Sequence, residues 1–348
     1  VDNPQNILVV QTAFLGDVIL TLPLVQVAKK VYPDAHVDFI AIPRTAPVLR
    51  NHPAIREVIE FDKREKDAGI GGLVRLARRL REKHYDVALV PHRSLRSALL
   101  VRFAGIPARV GFDRSAGRWF LTSVVPHRGN LHEVERNLKL LDALGTTWRG
   151  KELPSLYPSS LDKKAVDEVL RALKIPDPSL AAVAPGTVWN TKRWPKERYA
   201  ELVGRFAGDG ISVVLVGGPE DRDLCEEILR EGSPNARVHN VAGRFTLLQS
   251  AELLRRARFL VCNDSAPLHL AVAMRTPVVA IFGATIPEFG FAPYGERDVV
   301  VQTNGLACRP CSIHGGDRCP IETFVCMRNI ASNSVYAHAR RLFDRVHS

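Results

Sequence analysis

Ile7-Leu-Val-Val-Gln11 is an apolar run too short for a helix, and a helical pattern follows it from about Asp17. The same alternation continues through His36–Ile42, Glu57–Phe61 and Tyr85–Pro91, the last followed by a helix from Ser94. A helical stretch over His132–Leu144 leads into Gly145–Ser160, rich in Gly, Pro, Ser and Thr, after which the pattern restarts. Leu180–Ala184, Ile211–Val216, Phe259–Cys262 and Val278–Phe282 read as strands, with helices from near Pro195, Pro219, Thr246 and Ala266. Such repetition predicts an α/β chain with two doubly wound parallel sheets joined by one linker, in keeping with 348 residues. Strands this uniformly apolar are buried on both faces, so ligands belong outside their carboxyl ends, where loops enter helices. The expected site is the cleft between domains. A last helix over about Ser332–Val346 closes the chain, with the first domain as one place for it to pack.

Hydrophobic residues make up 46% of the sequence and charged residues 24%, which fits a folded chain and excludes a disordered or collagen-like one. The net charge of +11 favours an anionic partner: nucleic acid, a phosphorylated metabolite or an acidic membrane surface. The most apolar long segment, Ile7 to Val31, contains Gln11, Gly16, Asp17 and Pro23 and does not read as a membrane span. It also fails as a secretory signal, since Lys29 and Lys30 follow the apolar part, so the expected location is the cytoplasm. With no aromatic-interleaved basic stripe, nucleic-acid binding ranks last.

No Gly-x-Gly-x-x-Gly follows the first strand, and neither a Walker A sequence nor Gly-x-Ser-x-Gly occurs, which removes the usual support for dinucleotide oxidoreductases, P-loop nucleotidases and α/β-hydrolases. Three strand-to-helix loops carry the chemistry instead. Gln11-Thr-Ala-Phe-Leu-Gly-Asp-Val18 offers Asp17, as a helix cap or as a base aimed at a hydroxyl. Ala184-Pro-Gly-Thr-Val-Trp-Asn-Thr-Lys-Arg-Trp-Pro195 offers Thr187, Thr191, Lys192 and Arg193, as a polar surface loop or as a pyrophosphate site. Cys262-Asn-Asp-Ser-Ala-Pro-Leu-His269 offers Asp264 for sugar hydroxyls and amides near Ser265 for phosphate, against a plain cap and a core histidine. Asn263-Asp-Ser265 matches a glycosylation acceptor only by chance.

Gly-Asp-Val-Ile-Leu-Thr-Leu-Pro-Leu24, Lys-Arg-Trp-Pro195, Asn-Asp-Ser-Ala-Pro-Leu-His269 and Ala-Ile-Phe-Gly-Ala-Thr285 follow the order and spacing of glycosyltransferase family 9, the bacterial ADP-heptose:lipopolysaccharide heptosyltransferases, which the chain resembles over nearly its whole length. The segment with Cys308-Arg-Pro-Cys311, Cys319-Pro320 and Cys326-Met327 resembles the heptosyltransferase II branch. The resemblance implies the GT-B fold, two Rossmann-like domains facing an interdomain cleft: 1–155 for the acceptor, 156–331 for the ADP-sugar, and 332–348 as the terminal helix. It implies an acceptor-side base at Asp17 and donor contacts from Thr187, Lys192, Asp264, Ser265 and His269. Asp221 falls where the family places an acidic residue for the donor's ribose, a position that helix capping explains equally well. One departure is Ala266-Pro267, where the family's glycine usually follows the Asp-Ser or Asp-Thr pair.

The implied reaction is inverting transfer of heptose from ADP-heptose to the lipopolysaccharide inner core, most closely the second heptose, in peripheral contact with the cytoplasmic face of the inner membrane. Lys192, Thr187 and amides at Ser265 would carry the leaving charge, so no cofactor is expected. Arg93, Arg96, Arg114 and Arg118 are the candidates for gripping acceptor anions, each also readable as a solvated charge. Cys308, Cys311, Cys319 and Cys326 have the count of a structural zinc site; reduced packing cysteines are the other reading. The alternatives are another family 9 heptosyltransferase, a nucleotide-sugar epimerase of similar fold and a non-catalytic nucleotide-sugar-binding module.

Overall fold

The computed structural model describes residues 3–175, 179–232 and 237–344. The chain divides into two units, Val1–Tyr157 and Pro158–Ser348, the break falling inside the Gly145–Ser160 segment. The first unit contains β1 (Asn6–Val10), α1 (Leu15–Val31), β2 (His36–Ala41), β3 (Glu57–Glu60), α2 (Gly69–Arg81), β4 (Val87–Val90), α3 (Leu95–Phe103), β5 (Ala108–Phe112), β6 (Ser123–Val125) and α4 (Glu133–Leu138). Its six strands form one sheet in the order β3-β2-β1-β4-β5-β6, parallel throughout. The second unit contains α5 (Ser160–Ala172), β7 (Leu180–Ala184), α6 (Lys196–Gly208), β8 (Ser212–Leu215), α7 (Arg222–Gly232), β9 (Val238–Asn240), α8 (Leu247–Arg256), β10 (Leu260–Asn263), α9 (Ala266–Ala273), β11 (Val278–Phe282), β12 (Val299–Gln302), α10 (Val325–Arg328) and α11 (Ser332–Asp344). Its sheet runs β12-β11-β10-β7-β8-β9, again parallel.

Counted from its own first strand, each sheet has the Rossmann order 3-2-1-4-5-6. In that order the first and fourth strands are neighbours whose outgoing connections turn to opposite sides, opening a crevice beyond their carboxyl ends. The crevices follow β1 and β4 in one unit and β7 and β10 in the other. The central strands are mainly apolar because helices cover both faces: Leu8, Val10, Ile40, Ala88 and Val90 pack under Leu73, Leu76 and Leu80 of α2 and Leu100 and Val101 of α3. Alternation along β1 sends Ile7 and Val9 to the other face, and both are fully buried.

The sequence pattern does not announce four outer strands or the helices α2, α5 and α10. The outer strands β5, β6, β9 and β12 are short or carry polar residues such as Arg109 and His239. The glycines at 69, 71 and 72 disguise the start of α2, where Gly72 packs directly on the Asp67 backbone. The terminal helix lies within the second unit. α11 packs on α6, with Tyr336 stacked on Phe206 at 5.5 Å and Val335, Ala339 and Leu342 in the core. Residues 345–348 of the expected helix lie outside the described residues.

One buried charge ties β2 to its neighbours. Asp38 is fully buried and accepts two bonds from the Arg56 guanidinium, at 2.9 and 2.7 Å, and one from the Tyr85 hydroxyl at 2.5 Å. Removing the arginine would leave a carboxylate in an apolar layer, the costly way to break such a pair. Arg56→Ala is therefore expected to destabilise the first unit by about 2–3 kcal/mol, a figure reduced for the partial exposure of the arginine, read as a lowered urea midpoint of unfolding.

Candidate active site

β1 and β4 are adjacent, so the loops leaving them emerge side by side at the carboxyl edge of the first sheet. They are tied together: the Thr12 hydroxyl and His92 Nδ1 lie 2.9 Å apart, and the Ser97 hydroxyl meets the same nitrogen at 2.9 Å. Burial, with Lys63 and Arg93 nearby, pushes His92 down to about 4, leaving the ring neutral near pH 7. Asp17 is the third residue of α1, whose N-cap Phe14 offers no side-chain cap. Its carboxylate reaches back to the Phe14 amide, so the capping reading holds in part. That bond favours ionisation, but burial works against it more strongly and the Glu133 carboxylate adds to the opposition; together they push Asp17 up to about 7 despite Arg93. A base poised near neutrality is what proton abstraction from a hydroxyl at ordinary pH requires.

Glu133 enters this site through packing. α4 lies against α1, fixed by Asn137 Nδ2 donating to the Leu20 carbonyl at 3.2 Å. The helix buries Glu133 in an ion pair with Arg136 at 2.7 Å. Glu133 is itself pushed up by burial, with Arg136 and Arg93 opposing. Lys63, also absent from the expected set, donates to the Thr12 carbonyl at 2.9 Å and is pushed down to about 8 by burial and by Arg96.

The four arginines separate. Arg93 follows β4, is exposed, and acts electrostatically on Asp17 and Glu133. Arg114 is exposed and close enough to lower His127. Arg118 stacks its guanidinium on Trp119, 4.3 Å from the ring centre. Arg96 departs from expectation. It donates to the carbonyls of Lys63, Asp67 and Gly69 at 3.3, 2.5 and 3.1 Å and lies over Phe61, which makes it a staple for the loop before α2.

In the second unit the corresponding loops follow β7 and β10. Asn263 is buried, donating to the Pro185 carbonyl at 2.8 Å and accepting the Trp194 amide at 3.0 Å, so the glycosylation match has no accessible side chain. Trp194, fully buried, donates its indole N–H to the Ile330 carbonyl. This anchoring places Lys192 Nζ 2.6 Å from Asp264 Oδ2, which also accepts the Thr285 hydroxyl at 2.7 Å. Asp264 is thus an orienting partner for the lysine. Ser265 is the N-cap of α9, its hydroxyl donating to the Asn263 carbonyl and its side chain capping no amide. Pro267 removes one amide donor from the first turn. His269 is buried in α9 and already engaged within the protein. The Thr187 carbonyl accepts a bond from Arg193 at 3.0 Å.

Asp221 caps the turn into α7 by accepting the Gly218 amide at 2.9 Å, and burial pushes its carboxyl upward. A Cβ on Gly186 would fall 2.0 Å from Asp221 Oδ1, so the glycine makes room for the carboxylate beside the β7 loop. This is the end of the unit's second strand, where a Rossmann unit places its ribose-binding acid.

The cysteine-rich segment forms a strap over these loops. Thr191 N donates to the Gly316 carbonyl at 3.0 Å and the Gly316 amide donates to the Thr191 hydroxyl at 2.8 Å. Gly315 has a φ of +88°, which favours glycine, and a Cβ there would stand a tight 3.1 Å from Lys192 Cγ and 3.2 Å from Trp189 Cβ. Arg309 holds the strap to the Thr285 and Thr303 carbonyls, at 2.6 Å each, and the Cys311 amide bonds the Ala284 carbonyl. Cys308, Cys311 and Cys319 are half-buried and Cys326 is buried, all as free thiols. Among the described residues no three His, Cys, Asp or Glu side chains gather as a metal ion would require.

The raised Asp17 carboxyl has a cost in stability with a defined sign. In the unfolded chain it ionises near 3.8, in the folded protein near 7, so its contribution to stability is full below pH 4 and is lost as pH rises through 7. Asp17→Asn should accordingly melt at a higher temperature than the parent at pH 8, and the difference should vanish near pH 4. Scanning calorimetry at the two pH values checks this.

The sequence profile of glycosyltransferase family 9 (heptosyltransferase) matches residues 73–316. Lipopolysaccharide heptosyltransferase 2 of Salmonella typhimurium is 33% identical over 297 residues, 82% of this chain and 84% of the relative. Lipopolysaccharide heptosyltransferase 1 of Pseudomonas aeruginosa is 31% identical over 318 residues, 88% of this chain and 86% of the relative. The structure of Escherichia coli ADP-heptose lps heptosyltransferase II aligns over 99% of this chain and 100% of its own, with a TM-score of 0.80 and 27% identity. The two doubly wound sheets are accordingly those of a GT-B enzyme. A family profile over most of its length and relatives above 30% identity across more than four-fifths of it place the chain in glycosyltransferase family 9, the heptosyltransferases.

Proposed function

We propose that the chain transfers heptose from ADP-heptose to an inner-core lipopolysaccharide acceptor, adding the second heptose with inversion of configuration at the cytoplasmic face of the inner membrane. The observation that carries the reading is the Asp17 carboxyl, held near neutrality at the carboxyl edge of the first sheet beside the exposed Arg93. The acceptor hydroxyl attacks the anomeric carbon while Asp17 takes its proton, and ADP leaves from the opposite face. A base of this kind contributes roughly 10²–10⁴-fold. Arg93 and Arg114 hold carboxylates or phosphates of the acceptor. In the second unit Asp221 takes the ribose, while the ammonium of Lys192, oriented by Asp264, and the amides at the start of α9 take the charge that builds on the diphosphate. Ser265 and Thr187 add hydroxyls, and His269 supports the helix that carries the amides. The chemistry proposed in this way assigns no step to a divalent metal.

The cysteine-rich strap supports the second-heptose assignment, and relatives named heptosyltransferase 1 and 2 are about equally similar. An acceptor series therefore decides it. With ADP-heptose in EDTA, an acceptor bearing one heptose should gain one heptose by mass and release equimolar ADP, whereas acceptors with none or two should not react. Asp17→Asn should slow product formation on the acceptor that the parent uses by roughly 10²–10⁴-fold. Reaction only on the heptose-free acceptor would reassign the enzyme to the first position.

The pH profile tests the base. Turnover should fall as pH drops through about 7, where Asp17 takes up its proton. Glu133→Gln removes the neighbouring negative charge that resists ionisation, so the acid limb should move to lower pH by roughly half a unit to one unit. An unmoved limb would show that Glu133 does not tune the base.

A further inference from the structure

Three large apolar side chains stand out of the first unit at one place. Ile70 is 77% exposed, Leu95 46% and Trp119 79%. Ile70 lies in the first turn of α2, Leu95 opens α3, and Trp119 lies in the β5–β6 connection; all follow strand ends at the carboxyl edge of the first sheet. The structure links them into one patch. Arg96, in the first turn of α3, donates to the Gly69 carbonyl beside Ile70. Gly117 sits so close over α3 that a Cβ on it would stand 3.2 Å from Leu95 Cα and 2.5 Å from Ala98 Cβ, which seats Arg118 and Trp119 next to Leu95. The Ala116 amide fixes the same turn to the Arg93 carbonyl at 3.0 Å.

Cations outnumber carboxylates around the patch. Over residues 62–70, 93 and 113–119, Arg64, Lys66, Arg93, Arg114 and Arg118 are exposed, against exposed Glu65 and the part-exposed Asp62 and Asp113, which accept the backbone amides of Arg64 and Glu65 and of His127. Asp67 is buried and paired with Arg75. Arg118 rests on the Trp119 ring, an arrangement in which an apolar face and a cation present themselves together. A few apolar side chains within a predominantly basic surround suit a soft anionic interface, into which each inserts while the cations stay at the charged level. A protein partner would instead be met by a continuous apolar core inside a polar rim.

We propose that Ile70, Leu95 and Trp119, with Arg64, Lys66 and Arg118, form a docking surface for an anionic lipid bilayer. The proposal deepens the acceptor reading, an acceptor carried on a membrane, and its test is separable from that reading. The full-length protein is sedimented with vesicles of phosphatidylcholine alone or with 40% phosphatidylglycerol, at about 0.1 M and 0.5 M salt. The parent should bind the anionic vesicles, release them at high salt, and leave the neutral ones unbound. Ile70→Ser with Trp119→Ser, with an unchanged circular dichroism spectrum, should bind at least about tenfold more weakly. The same variant should keep parental turnover on a lipid-free acceptor. Equal binding by parent and variant, or no vesicle binding by the parent, overturns the proposal. Loss of vesicle binding in the variant, with neither protein turning over any acceptor, upholds the surface and overturns the reaction.

Discussion

The side-chain amide of Asn263 grips both ends of the Pro185–Trp194 loop, one through the Pro185 carbonyl and the other through the Trp194 amide. Because the amide is buried, no water competes for these bonds, and losing either partner would strand a polar group in the core. The loop consequently leaves β7 and enters α6 along one path, and Lys192 arrives beside Asp264 already oriented. A lysine on an unrestrained loop would spend binding energy on being immobilised; here that ordering is completed during folding. The carboxyl edge of the second sheet is arranged around this clamp: the Thr285 hydroxyl donates to Asp264, and Gly186 admits Asp221.

The first unit works by opposition. A helix start ordinarily favours a carboxylate, and Asp17 does reach the Phe14 amide. Burial outweighs this attraction, and Glu133 reinforces the burial. The product is a side chain less stable than an ordinary surface aspartate and better matched to taking a proton. In the proposed reaction this side chain gives up folding free energy for reactivity.

Much of this was legible in the residues. The apolar central strands declared themselves through composition and spacing, and the loops after β1, β7 and β10 through glycine, hydroxyl and charge placed at strand-to-helix turns. The strands away from the sheet centres were less legible because half-exposed positions in β5 and β9 tolerate Arg109 and His239, which breaks the apolar signal. Glu133 was not legible as a site residue at all, since its importance comes from α4 lying on α1, a contact between segments over a hundred residues apart. Arg96 looked equivalent to Arg93 because sequence gives position and not direction: Arg93 acts on Asp17, while the guanidinium of Arg96 turns to the carbonyls of residues 63–69. Gly315 and Gly316 carried a signal, a glycine pair in a polar segment, that only the neighbouring Thr191 and Lys192 explain.

The stretch from Thr303 to Cys326 has almost no regular structure, yet it is stitched down at Arg309, Cys311, Gly315 and Gly316. Between stitches the chain can lengthen, shorten or change composition without disturbing the lysine beneath. At the stitches it cannot. Sequence drift in this region should therefore be punctuated, with variable arcs between fixed knots, and alignments that treat it as an ordinary surface loop will pass over the residues that fasten the Lys192 loop.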